Sequence, residues 1–262
     1  MFNFSRQVLG ALLIVFFSIF EVGRLQYSYL QQIISKQQTA NVKNLEKQIQ
    51  TEKLRLNLLQ KMPSFGYANL IADWIYLNFL QYFGDDEARA QTGYSLSPEY
   101  FEVILARDPR FLQAYLGLSI STSMYAAMPE RSVALMEKNL KFLSAKVPHK
   151  AYYVWRYKGI DELLFLGNSQ ASEQSFTTAA EWASEYTDEE SKQVAYVSAR
   201  TAKFLQRNPN SKHAQISTWT MVLNNPVDEK TRQRAIREIE ALGGKIIKNS
   251  DGTIRIKLPE KD

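Results

Sequence analysis

Cysteine is absent from this chain, which removes disulfides, thiolate metal sites and cysteine nucleophiles without fixing the redox compartment. Histidine is nearly absent. His149 and His213 lie far apart, each beside a lysine, and a zinc or iron site built on imidazole is hard to assemble from them. Glycine-rich phosphate loops, metal-ligand spacings and nucleophile elbows are missing as well. Three polar groups remain. Asp85, Asp86 and Glu87 read as a solvated turn. Asp161 and Glu162 share a helix with no second carboxylate pair in register. The hydroxyls between Ser119 and Ser123 have no neighbouring base and read as easing helix packing. The sequence therefore points away from an enzyme and calls for no cofactor and no metal.

Long hydrophobic runs are also scarce. Residues 8–20 form one, thirteen uncharged positions flanked by Arg6, Glu21 and Arg24. At a rise of ~1.5 Å per residue it spans only ~20 Å, short of a ~30 Å hydrocarbon core. Phe2, Phe4, Val22, Leu25 and Tyr27 extend it if the flanking charges snorkel. No small-x-small cleavage motif follows, which favours an uncleaved single-pass anchor over a cleaved signal or a buried helix. The positive-inside count is close to a tie. A short N-terminal tail is usually retained inside, which places the body across the membrane, in a periplasm or lumen.

The net charge of +5 is localised. Residues 62–262 carry equal numbers of each sign. The excess sits mainly on Lys36, Lys43, Lys47, Lys53, Arg55 and Lys61, opposed by Glu46 and Glu52. A nucleic-acid binder would carry a basic face on its folded body, so nucleic acid is not an expected partner. A basic juxtamembrane stretch suits anionic head groups, with a solvated helix face as the plainer alternative. Within it, Val42, Leu45, Ile49, Leu56 and Leu59 alternate by three and four, with Glu52 breaking the series. This is a short heptad pattern that fits either a coiled-coil homodimer or an amphipathic helix lying on its own body.

From residue 65 onward, punctuation divides the chain into helices. An aromatic helix over 65–83 ends at Gly84. Ser97 and Pro98 open the next, which ends at Asp108 and Pro109. A single helix is expected over 111–128, another from Pro129 to near Val147, and another over 150–166 that stops at Gly167. Residues 172–184 follow. Thr187 with Glu190 reads as a capping box for a helix to Arg207. Two further helices reach Leu223 and Leu242, the last closed by Gly243 in a left-handed cap. Residues 245–248 and 253–258 alternate apolar and polar around Asp251 and Gly252, the pattern of a β-hairpin expected to pack on the last helix or a partner edge.

Several of these residues resemble a tetratricopeptide (TPR) repeat protein. Pro109 looks like a terminal proline and Phe101 falls at the second-helix aromatic. Tyr115 and Leu118 take the early large positions of the next unit. Gly167 matches the turn glycine, Phe176 the aromatic and Ala179 the small residue. The unit after Pro109 runs long, and Ile104 stands where a small residue is usual. The resemblance implies two or three degenerate repeats over 65–185, flanked by capping helices. The expected fold is all-α: a membrane anchor (1–24), a helical stalk (25–62), a TPR-like α-solenoid of antiparallel helix pairs (63–244) and a hairpin tail (245–262).

TPR-like proteins hold partners in a groove formed by the first helix of each unit. The matching positions are Gln113, Leu116, Ile120 and Met124 on one helix, and Tyr153, Arg156, Tyr157 and Ile160 on another. Ordinary helix packing is the competing use of the apolar ones. Arg156 and Lys158 among Tyr153, Trp155 and Tyr157 could grip a carboxylate or stack an arginine. The expected function is a membrane-tethered protein–protein interaction scaffold, an assembly or accessory factor whose partners are subunits of a membrane complex. The alternative is a structural subunit of an envelope apparatus such as a pilus or secretion system.

Overall fold

The computed structural model describes residues 14–24, 26–27, 42–207, 211–224, 229–248 and 254–260. The first half of the apolar run (8–13), stalk residues 28–41, the breaks at 208–210 and 225–228 and the hairpin turn at 249–253 lie outside them. The chain divides into two units, 1–47 and 48–262. In the first, residues 14–24 are helical, and Ile14, Val15, Phe16, Phe17, Ile19, Phe20 and Val22 are all exposed. Among the described residues no helix is long and apolar enough to cross a membrane.

Eleven labelled α-helices follow. They are α1 (Val42–Lys61), α2 (Ala68–Phe83), α3 (Asp86–Thr92), α4 (Ser97–Arg107), α5 (Leu112–Leu118), α6 (Pro129–Leu140), α7 (Tyr152–Leu164), α8 (Ser169–Ser184), α9 (Glu189–Arg207), α10 (Lys212–Asn224) and α11 (Glu229–Ala241). A π-helix, Ser119–Tyr125, continues α5. Strands β1 (Lys245–Lys248) and β2 (Ile254–Lys257) pair antiparallel, Ile246 opposite Ile256. The fold is thus mostly helical with one small hairpin. Helices pack with their sequence neighbours, α7 on α8 and α8 on α9 most extensively, and α2 lies against α4.

The heptad positions of α1 within the second unit are taken by the chain's own body. Leu56 is buried in the main core, with Ile49 and Leu59 against it. Glu52, the break in the pattern, accepts a 2.7 Å hydrogen bond from the Tyr100 hydroxyl and pairs with Arg55. Arg107 donates to the carbonyls of Leu59 and Met62. Ile49, Leu56 and Leu59 of the seam therefore pack on the main core.

Three local expectations are corrected. Ser97 does not cap α4, since its hydroxyl is buried without a partner. No side chain caps this helix; the N–H of Leu96, the residue before it, donates to the Tyr82 hydroxyl at 3.2 Å. Asp188, not Thr187, caps α9, accepting from the N–H and hydroxyl of Ser191. The helix expected over 111–128 widens at Ser119 into the π-helix, closed by the Ala126 N–H on the Ser121 carbonyl. Gly243 does adopt the left-handed conformation (φ 87°) expected at the end of α11.

The main core holds Ile75, Phe79, Phe101, Ile104, Tyr115, Leu118, Met136 and Val154, with the Phe79 and Phe101 rings 4.5 Å apart, edge to face. A second core joins Phe165, Ile216, Trp219, Val222 and Ile239, with Ile246 and Ile256 of the hairpin against it. The hairpin thus packs on the last helices, as its pattern suggests. A third core of Phe176, Ala202 and Leu205 lies between α8 and α9. Phe101, Tyr115, Leu118, Phe176 and Ala179 are all buried. Such packing is common to paired helices, and it gives no evidence of tetratricopeptide repeats.

Close approach of α7 and α8 depends on Gly159. A Cβ there would meet the Phe176 ring at 3.2 Å and the Ser175 Cβ at 3.3 Å, and the Ser172 hydroxyl donates to the Gly159 carbonyl at 2.8 Å. Gly159→Val is expected to cost about 2 kcal/mol by overpacking this contact, measured as a lower urea midpoint. An unchanged midpoint would show that the helices part without cost.

Candidate functional site

Helix α5 turns Ala114, Tyr115 and Leu118 inward, which leaves Gln113, Leu116 and Ile120 on the outer face at spacings of three and four. Leu116 is 43% and Ile120 40% exposed, and Gln113 is exposed as well. These three expected partner residues form one continuous strip. Met124, the fourth, is half-buried against the second core.

The expected positions on α7 have different surroundings. Tyr153 stacks on Tyr157, ring centroids 5.9 Å apart, and its hydroxyl donates to Glu190 of α9 at 2.6 Å. Glu190 is also held by Lys150, and these two donors keep its carboxyl below the usual range. Burial and the Glu190 carboxylate push the Tyr153 hydroxyl well up. Tyr157 packs on the main core and Ile160 on the third. The Arg156 guanidinium reaches the Ser198 hydroxyl at 2.9 Å and forms no ion pair among the described residues. It is therefore the cation of this cluster left able to take a carboxylate. Lys158 is not, being buried and paired with Glu162 and with Glu137 at 3.3 Å.

The sequence reading missed a polar network at the centre of the array. Asp161 is fully buried. It accepts from Ser119 at 2.8 Å and Ser123 at 2.7 Å, both on the π-helix, and from Ser132 of α6 at 2.7 Å. Burial pushes its carboxyl up to about 6, against the three hydroxyl donors that hold it down and with the Glu162 charge adding to the rise. Next to it, Glu162 accepts from Lys158 and, at 2.7 Å, from Ser175 of α8. The two adjacent carboxylates point to opposite partners, and together they join the π-helix, α6, α7 and α8. With both oxygens occupied and no exposed surface, Asp161 holds elements in place and faces no ligand. The available signal was the pairing of a hydroxyl-rich stretch with acids on a helix otherwise built for packing.

Among the described residues no group of three His, Asp or Glu side chains could hold a metal ion. No family model, no curated protein and no solved structure matches the chain.

Proposed function

We propose that this protein is a membrane-tethered scaffold whose TPR-like helical body docks subunits of a membrane protein complex, acting as an assembly or accessory factor. The observation that carries this reading is the helix at 14–24, whose large apolar side chains are exposed. A helix that is apolar all round needs either a protein core or lipid around it. The body supports the second half of the reading. Among the described residues it offers an exposed strip (Gln113, Leu116 and Ile120), an arginine without an ion pair (Arg156), and a fully buried acid, Asp161, that serves packing.

The test uses the full chain in its native membrane. It is expected to stay in the pellet after a carbonate wash. A photo-crosslinker at Leu116 or Ile120 is expected to give a discrete adduct with a membrane-complex subunit, weakened by Arg156→Glu. Release by carbonate would remove the tether, and adducts no different from those of a crosslinker at exposed Lys203 would remove the docking strip.

A further inference from the structure

We propose that the outer face of α1 and α2 lies on an anionic lipid surface. Leu54 and Leu58 on α1 and Leu70, Trp74 and Leu77 on α2 are all exposed, Leu70 and Leu54 each by 65% and Trp74 by 47%. Met62, Phe65 and Tyr67, in and beside the link between the two helices, are exposed as well. The Arg55 guanidinium stands over the Trp74 ring at 5.1 Å, which joins the two stripes into one patch. At 3.6 residues per turn, Leu70, Trp74 and Leu77 share one side of α2, while Ala72, Ile75 and Phe79 face the core on the other. Monomeric proteins seldom leave so many large apolar side chains together in water.

Charge and composition choose the occupant. Lys53 and Lys61 are exposed on α1, and neither has an acid within ion-pair distance among the described residues. Lys61 shares the side of α1 that carries Leu54 and Leu58. Lysine is depleted from the centres of protein interfaces. Lysine stems beside apolar side chains, with the ammonium groups reaching anionic head groups, instead characterise helices that lie in a membrane interface. Tyr67 and Trp74, each with an apolar body and a polar tip, suit the same boundary. The sole charge on α2 is the exposed Asp73, which on a helical wheel falls on the side of the stripe away from α1, between Leu77 and the exposed Leu80. The inference rests on the tethered reading above, since the anchor in the same chain supplies the bilayer.

The absence of cysteine permits a direct test. Leu77→Cys and, as a control on α9, Lys203→Cys are each labelled with an environment-sensitive fluorophore in the full chain. The labelled protein is reconstituted into phosphatidylcholine vesicles containing about a third anionic lipid, with or without bromine-quenched acyl chains. The label at 77 is expected to shift to the blue and lose most of its emission to the bromolipid, and the label at 203 little. Removing the anionic lipid, or combining Lys53→Gln with Lys61→Gln, is expected to reverse most of that loss. Equal quenching at 77 and 203 overturns the proposal. So does a label at 77 shielded from aqueous iodide yet untouched by bromolipid, which assigns the face to a protein. Carbonate resistance of the same samples reads the tether separately: an unquenched label on retained protein removes the lipid face alone, and a quenched label on released protein removes the tether alone.

Discussion

Replacing Asp161 with alanine is expected to destabilise the helical body by about 3–4 kcal/mol at pH 5, because three buried serine hydroxyls lose their common hydrogen-bond partner at roughly 1 kcal/mol each. For a body of this size that is a melting temperature lower by roughly 10 °C. The pH dependence separates the charge from the hydrogen bonds. Burial pushes the folded-state carboxyl up to about 6 from its ordinary 3.8. Between these values the folded chain holds a proton that the unfolded chain has released. The contribution is therefore full below pH ~4 and is lost as the pH rises through 6, with about 3 kcal/mol at stake. Asp188, Glu130 and Glu190 are shifted the other way, and their contribution falls as the pH drops. The comparison must therefore be made against Asp161→Asn, which keeps the shape and the other carboxylates but cannot ionise. The native chain is expected to gain on this variant by about 3 kcal/mol from pH 7 to pH 4, read from paired urea titrations. A difference that stays flat across that range would show that Asp161 ionises as it does in water.

This node also marks where the sequence stops being legible. The turns could be read because their chemistry is local. Pro129 opens a helix, Gly167 stops one, Gly243 takes the left-handed cap, and the alternation over 245–258 forms the hairpin. Contacts set by tertiary packing were not legible: the Leu96 N–H, just before α4, donates to the Tyr82 hydroxyl fourteen residues away, and no rule based on the flanking residues would find it. Ser119, Ser123 and Ser132 stand 42, 38 and 29 residues from Asp161. A π-turn that brings two of these hydroxyls to one carboxylate has no periodicity signal of its own. The α1 heptad was ambiguous for a physical reason, since a seam of Ile49, Leu56 and Leu59 meets a partner helix or its own body with the same pattern. Glu52 was the clue. A charge at a seam position needs a buried partner, and Tyr100 together with Arg55 supplies it. Of the expected partner residues, Leu116 and Ile120 could be placed on an outer face from spacing alone. Tyr153 and Arg156 could not, because the helix that engages them, α9, begins more than thirty residues later.

Trp219→Ala is expected to cost about 3–5 kcal/mol, the range for removing a large aromatic from a filled core, and its effect should be confined to the C-terminal elements. The Trp219 side chain is fully buried. Its ring meets Phe165 edge to face at 5.5 Å, lies under the Arg234 guanidinium at 5.6 Å, and shares the second core with Ile216, Val222 and Ile239. Arg234 in turn donates to the Ala127 carbonyl at 2.6 Å and pairs with Glu130, so one ring supports the contacts joining α10, α11 and the hairpin to the end of the π-helix. The main core shares none of these side chains. Loss of the ring should therefore expose Arg237 and Lys245 to trypsin before Arg107 or Lys158, and Trp219→Phe should restore much of the protection because it keeps the contact with Phe165. If the variant instead unfolds in one step with all four sites cut together, the second core is not a separate cooperative unit, and the joint through Arg234 and Ala127 carries the stability of the whole array.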